Sequence, residues 1–217
     1  MKNLKHLLFA MSIAFAFFSC EKAIQTEEVS VEAERSEDLT LTAVEEEALL
    51  QLGGGFYGRH RIKKFKAKFV TEQDLTDPRL GFGSGDCLDT AFPFFNVQKG
   101  EEGRARYLGN FTSEVTFCVK PPGAGETEID YKDGKGTFFL ADGHELYIEI
   151  PVGVVKLIPQ PAQYQAKFQD RFRITGGTGP YENARGIGIT NSFVNFFPEG
   201  GDRTQHTWYG LILLDEA

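Results

Sequence analysis

The chain has 217 residues, 41% of them hydrophobic, with 20 Phe and 24 Gly, which argues for one globular, turn-rich body long enough to bury a core. Its net charge of −8 is concentrated in residues 21–50, where ten acids face only Lys22 and Arg35. Residues 51–217 hold 19 bases and 21 acids, so the body of the protein is nearly neutral and its charge gives no argument for a nucleic-acid partner.

The N-terminus is organised as an export signal. Lys2, Lys5 and His6 form a basic head, and Leu7 to Phe18 is a run without charge. That run is too short to span a bilayer, which takes roughly 20 residues as a helix. It suits the apolar segment of a secretory signal, usually about 7–15 residues. The segment closes as Phe17-Phe18-Ser19-Cys20, followed by Glu21-Lys22. This resembles the lipobox of bacterial lipoproteins, in which a small residue precedes the lipidated Cys. Phe17 and Ser19 depart from the commonest form, which has Leu and then Ala or Gly at those places; such looser fits occur in Bacteroidetes-type lipoproteins. The resemblance implies removal of residues 1–19 and a diacylglyceryl thioether on Cys20. The protein would then be lipid-anchored to the outer membrane, at the cell surface or its periplasmic face. At ~0.8 kcal/mol per buried methylene, two or more acyl chains hold a protein firmly. The alternative is an ordinary signal with an incidental Cys20. No second apolar run of comparable length follows. In the oxidising compartment beyond the membrane, Cys87 and Cys118 are expected to pair, the alternative being two buried free thiols. Paired, they close a loop of about 30 residues and contribute about 3 kcal/mol.

Residues 20–52 form an acidic tether, too poor in apolar residues to order itself over 21–41. Thr42-Ala43-Val44-Glu45 resembles a capping box, and the spacing predicts a short helix over 43–52, stopped by Gly53-Gly54-Gly55. Residues 53–217 then change to strands and turns. Arg61–Val70 is β-compatible, with a slip near Lys63-Lys64 that predicts a bulge. Arg104–Val119 places Tyr107, Phe111, Val115 and Phe117 on one parity. Gly136–Leu140 and His144–Val152 flank Asp142-Gly143, a strong hairpin signal. Tyr164–Thr175 alternates Phe168, Phe172 and Ile174 against basic and amide residues, and Gly186–Phe197 and Thr204–Leu214 complete the set. Seven or eight such strands without a long helical pattern read as an all-β sandwich or closed barrel, and the Gly-rich strands favour the barrel.

Three patches resemble the secreted proteins with an allene oxide cyclase-like or dirigent-like barrel. They are Gly103-Arg104-Ala105-Arg106-Tyr107-Leu108-Gly109-Asn110-Phe111-Thr112; Gly136-Thr137-Phe138 through Asp142-Gly143-His144-Glu145-Leu146; and, most specific, Ile174-Thr175-Gly176-Gly177-Thr178-Gly179-Pro180-Tyr181 on to Gly186. They cover roughly residues 100–214, while 56–99 matches poorly. The resemblance implies a closed, calycin-like antiparallel barrel of about eight strands, with a lumen for a small apolar molecule. The cyclase's catalytic residues do not map onto this chain one by one, so its activity is not carried over. In the third patch, Gly176, Gly177 and Gly179 allow positive φ at a tight corner, and Tyr181 is expected to plug one end of the barrel.

Chemistry-bearing constellations are few. The glycines near 176–179 lack the order and the following Lys of a phosphate loop. His60, His144 and His206 have no His or Cys at ligand spacing, so no metal and no cofactor is implied. No Gly-x-Ser-x-Gly elbow is present. The basic cluster Arg59–Lys68 reads as a solvated strand face rather than an anion site, and Glu145, Tyr147 and Glu149 as an outer polar face. Period two sends Asp170 into the lumen with Phe168 and Phe172, where a carboxylate often marks a site; an outward-turning bulge or pairing with Arg173 or Arg185 is the alternative. The candidate lumen residues are therefore Asp170, Phe168, Phe172, Tyr107 and Phe111. The expected function is a non-catalytic binding module for a small apolar or aromatic ligand or a surface partner. The alternatives are an isomerase or cyclase, and a purely structural barrel. The sequence sets no oligomeric state.

Overall fold

The computed structural model describes residues 60–83, 87–159, 163–196 and 203–215. The signal, Cys20, the tether and the expected 43–52 helix lie outside them. The described chain forms β1 (His60–Gln73), β2 (Gly81–Phe82), β3 (Phe94–Ala105), β4 (Gly109–Val119), β5 (Glu128–Leu140), β6 (Glu145–Leu157), β7 (Ala166–Phe168), β8 (Arg171–Gly177), β9 (Arg185–Asn195) and β10 (Arg203–Asp215). One 3-10 turn, Gly179–Tyr181, lies between β8 and β9.

Consecutive strands pair antiparallel from β3 to β6, and β9 pairs β10, which pairs β1. Contact of β1 with β3 closes the cylinder. Both β7 and β8 bridge β6 and β9, so they are one wall strand broken at Gln169-Asp170. With β2 only a two-residue flap on β3, the wall is an eight-position closed antiparallel barrel, as the strand spacing implied. Closure leaves no long unpaired edge among the wall strands.

Period-two alternation fills the lumen. From β1 it takes Phe65, Ala67, Phe69 and Thr71; from β10, Thr204, His206, Trp208 and Ile212; from β5, Phe138 and Leu140. The hairpin at Asp142-Gly143 forms as read, with Gly143 at φ +84 and its N–H donating to the Leu140 carbonyl. The corner after β8 is as read at Gly176 and Gly179, which have positive φ, and at Tyr181, buried against the core at that end; Gly177 does not have positive φ and is instead where the Glu145 carbonyl leaves no room for a Cβ. A Cβ on Gly188 would overlap the Tyr209 carbonyl and the Phe172 ring, so β9 approaches β10 and the lumen too closely for a side chain there. Cys87 and Cys118 form a disulfide with Cα atoms 5.5 Å apart, fastening the 87–93 segment to the outside of β4.

Four expectations are corrected. The stretch Arg104–Val119 is not one strand but the end of β3, a turn and β4; Tyr107 sits in the turn at φ +71 and is 50% exposed, so it is not a lumen residue. Its ring is covered instead by Lys63 and Arg106. The bulge foreseen at Lys63-Lys64 is absent, since β1 and β10 stay in register from His60 to Glu72; the shift lies between Phe69 and Glu72, against β3. Tyr164–Thr175 is interrupted at Asp170. Finally, most of β3 went unrecognised. Phe95 and Val97 point outward yet are buried with the disulfide, while Asn96 and Gln98 point into the lumen, so the apolar–polar code is inverted along this strand.

Candidate functional site

The lumen is divided across its length. Toward the end carrying the start of β1, six aromatic rings interlock: Phe65, Phe69, Phe111, Phe138, Phe172 and Trp208. Phe111 stacks on Phe138 at 4.1 Å and Phe172 on Trp208 at 5.3 Å, and Leu146, Ile148, Ile174 and Ile212 complete a solid core. Phe111 and Phe172, two of the candidate ligand residues, belong to this packing and do not line the apolar cavity at the other end of the lumen. Large aromatic side chains from successive strands simply fill the cylinder here.

Toward the other end the inward residues become smaller or polar, and a cavity of about 270 Å³ opens. Its apolar walls come from Val115 and Phe117 of β4, Ile150 and Val155 of β6, Phe168 of β7 and Val194 of β9, with Trp208 as the floor. Exposed Phe82 and the exposed pair Pro121 and Pro122 also border it, which places the mouth at this end. An engineered apolar cavity of ~150 Å³ accepts benzene, so this one has room for a substituted ring. No Lys, Arg, Asp or Glu is among the described residues lining it.

One wall is polar. Asn96 and Gln98 of β3, Thr204 and His206 of β10 all line the cavity, and each is at least nine-tenths buried. A hydrogen-bonded chain runs behind this wall. The Trp208 indole N–H donates to Ser192 Oγ at 3.3 Å, and Ser192 Oγ and His206 Nδ1 are 2.9 Å apart. His206 Nε2 lies 2.9 Å from Thr71 Oγ1, whose hydroxyl donates to Gln98 Oε1 at 2.7 Å. Because Thr71 spends its one proton on Gln98, it must accept from His206, which fixes the Nε2–H tautomer. Nδ1 then accepts from Ser192, whose oxygen accepts from Trp208, and all five groups are satisfied in one direction. Burial holds the His206 pKa down at about 3, so the ring is neutral at ordinary pH, and it stacks on Phe69 at 4.3 Å.

Asp170 is adjacent to the cavity but not in it. At the break between β7 and β8 its backbone N–H donates to Thr190 Oγ1, and its carbonyl accepts from the Thr190 N–H. The carboxylate turns toward β6 and β5, where Oδ1 accepts from the Val154 N–H at 3.2 Å and Oδ2 from the Tyr131 hydroxyl at 2.8 Å. It thus fills a gap in the barrel wall with the bonds that a continuous strand would supply. Tyr131 stands between it and the cavity and lines the latter. The phenol can pass only because residue 153 is Gly: a Cβ there would overlap its ring. Burial raises the Asp170 pKa, opposed by the Tyr131 and Val154 hydrogen bonds and by the Lys156 charge. Burial, and then the Asp170 charge, push Tyr131 well above the usual phenol value. Arg173 and Arg185 do not satisfy Asp170; Arg185 instead donates to the Thr175 and Ala184 carbonyls.

Of the sequence candidates, then, only Phe168 lines the cavity directly. Asn96, Gln98, Tyr131, His206 and Trp208 were missed. The signal for the last pair was present, since Thr204, His206 and Trp208 share one parity on a strand correctly bounded. No such signal existed for Asn96 and Gln98.

No family model matches the chain, and no curated protein matches it. Among solved structures it is similar to that of a pterocarpan synthase dirigent protein, at 13% identity, covering 73% of this chain and 88% of that one, with a TM-score of 0.38. A likeness at that distance carries neither activity nor substrate across; the closed antiparallel barrel rests on the strand pairing itself.

Proposed function

We propose that this chain is an exported lipoprotein, anchored through Cys20, whose barrel is a non-catalytic binding module for a small, neutral, mainly apolar ligand. The observation that carries the binding reading is the mouth-accessible cavity lined by Val, Ile, Phe and Trp, with no charged residue among the described residues that line it. Burying an apolar ligand there removes its surface from water at ~25 cal/mol per Å². A cyclase or isomerase gains little support, because the Asp170 carboxylate already serves Tyr131 and Val154 and lies behind the cavity wall.

Trp208, the sole tryptophan of the sequence, floors the cavity and supplies a built-in reporter. Titration with iodobenzene, a neutral ring carrying a heavy-atom quencher, is expected to quench its fluorescence saturably. Val119→Phe, which fills the cavity from a half-buried position, should abolish the saturable phase while leaving the fold intact. Quenching that rises without saturation, or is the same in the variant, contradicts the binding reading. For the anchor, Cys20→Ser should move the protein from the membrane fraction to the soluble one in its host; no change in fractionation overturns that part.

A further inference from the structure

On the outside of β10, burial increases toward the closed end. Gln205 is exposed, Thr207 and Tyr209 are half-buried, and Leu211 and Leu213 are only 5% and 9% exposed. Both leucines point away from the lumen, since Trp208 and Ile212 point in, and they belong neither to the lumen core nor to the cluster around the disulfide. The outer face of a single sheet layer is ordinarily washed by solvent, yet Leu211 is as inaccessible as Leu140 of the lumen core. On the neighbouring β9, Ile187 pairs with Leu211 and Ile189 with Tyr209, and both isoleucines are half-buried on the same outer face. Two exposed basic rows flank this apolar strip, Lys64, Lys66 and Lys68 on β1 and Arg171 and Arg173 on β8. From Ile62 to Lys68, Gln205 to Leu213, Arg185 to Phe193 and Arg171 to Thr175, none of the outward positions is acidic.

We propose that this outer strip of β9 and β10 is a docking surface for the chain's own segment Ala43–Leu52, bound as a helix. Residues 53–59 join the segment to β1 and reach roughly 25 Å when extended. β1 begins at His60 beside Asp215, one strand over and a few residues from Leu213 and Leu211, so the strip is within reach. Gly53-Gly54-Gly55 gives the chain the freedom to double back. A helix over 43–52 is about 15 Å long, close to the ~13 Å that separates Tyr209 from Leu213 along the strand. Val44, Ala48 and Leu52, at i, i+4 and i+8, form one apolar stripe with Glu45 and Glu47 on its two sides. The stripe meets Ile187, Leu211 and Leu213, while the two acids meet the basic rows of β1 and β8. An isolated helix of this length is marginal in water, so it forms by docking. The docking depends neither on what the cavity binds nor on lipid at Cys20; its consequence is that the tether between Cys20 and the barrel shortens to 21–42.

Hydrogen exchange read by mass spectrometry, on residues 20–217 carrying Cys20→Ser, tests this. The backbone amides of 45–52 are expected to exchange at least tenfold more slowly than in a synthetic peptide of residues 40–55. Ala48→Glu exchanges one good helix former for another and alters no strand residue, so folding of the barrel is not at stake, but it sets a carboxylate against the apolar strip. Exchange over 45–52 should then return to within about twofold of the peptide, while β5 and β6 stay as protected as in the parent. Leu211→Glu should release the segment in the same way from the barrel side. Exchange at the peptide's rate in the parent protein, or protection that survives either substitution, overturns the proposal. Protection that rises with protein concentration, alongside a dimer in sedimentation velocity, overturns it as well, because the occupant is then a second copy.

Discussion

The two ends of one barrel are built from the same strands and come out as opposites. At the closed end the inward positions of β1, β4, β5, β8 and β10 carry Phe65, Phe111, Phe138, Phe172 and Trp208, and the cylinder is solid. A few residues along the same strands, or on their neighbours, the inward positions carry Thr71, Asn96, Gln98, Thr190, Ser192 and Thr204, and the cylinder is hollow and polar on one side. Trp208 and the Phe69–His206 stack form the partition. The lesson is that a barrel of this size is not inherently open or closed. Side-chain volume at each layer decides, and a solid packed layer and a hollow, partly polar one can be separated along the axis.

If that division is right, substitutions at the two ends should differ in kind. The largest effect is expected from Phe138→Ala, which removes a fully buried ring in contact with Phe69, Phe111 and Trp208. It should cost about 3–5 kcal/mol in denaturant unfolding. Asp170→Ala would strand the Tyr131 hydroxyl and the Val154 N–H in the wall, and should cost about 1–3 kcal/mol by the same measurement.

A pH effect of intermediate size is expected from His206. In the unfolded chain it titrates near its ordinary value of 6.5, but in the fold only near 3. As pH falls through 6.5 the unfolded state therefore takes up the proton first, and stability declines progressively until about pH 3. Between pH 6.5 and pH 5 the loss is about 2 kcal/mol, at ~1.36 kcal/mol per unit. Thermal unfolding against pH should show it, and His206→Gln should flatten the slope. Asp170, whose pKa burial raises, contributes with the opposite sign, losing stability as pH rises through its folded pKa. The smallest effect belongs to Asn96→Leu: removing an unpaired acceptor should leave stability within about 1 kcal/mol of wild type, or raise it slightly. A loss comparable to that of Phe138→Ala would erase the distinction between the ends.

Legibility in the sequence followed the same division. The strand β10 was bounded within one residue at each end, and the Gly176–Tyr181 corner carried its own turn chemistry, whereas β4 was merged with the end of β3. The polar wall was opaque. On β3 the disulfide-bearing loop covers the outer face, so Phe95 and Val97 are buried outward while Asn96 and Gln98 are buried inward. A strand whose polar residues face the lumen cannot be recognised by a rule that puts polar residues outside. Asp170 misled for a related reason: alternation assumes an unbroken strand, and this residue occupies the break. Tyr107 misled because a three-residue turn preserved parity across two strands.

Methyl-labelled NMR with toluene as ligand tests the division most directly, since both ends carry branched side chains. The expected result is that shifts on titration are confined to Val115, Ile150, Val155 and Val194, with Leu146, Ile174 and Ile212 unmoved. Shifts centred on the latter three, or none at either end, would contradict a barrel that is solid at one end and built to receive a ligand at the other.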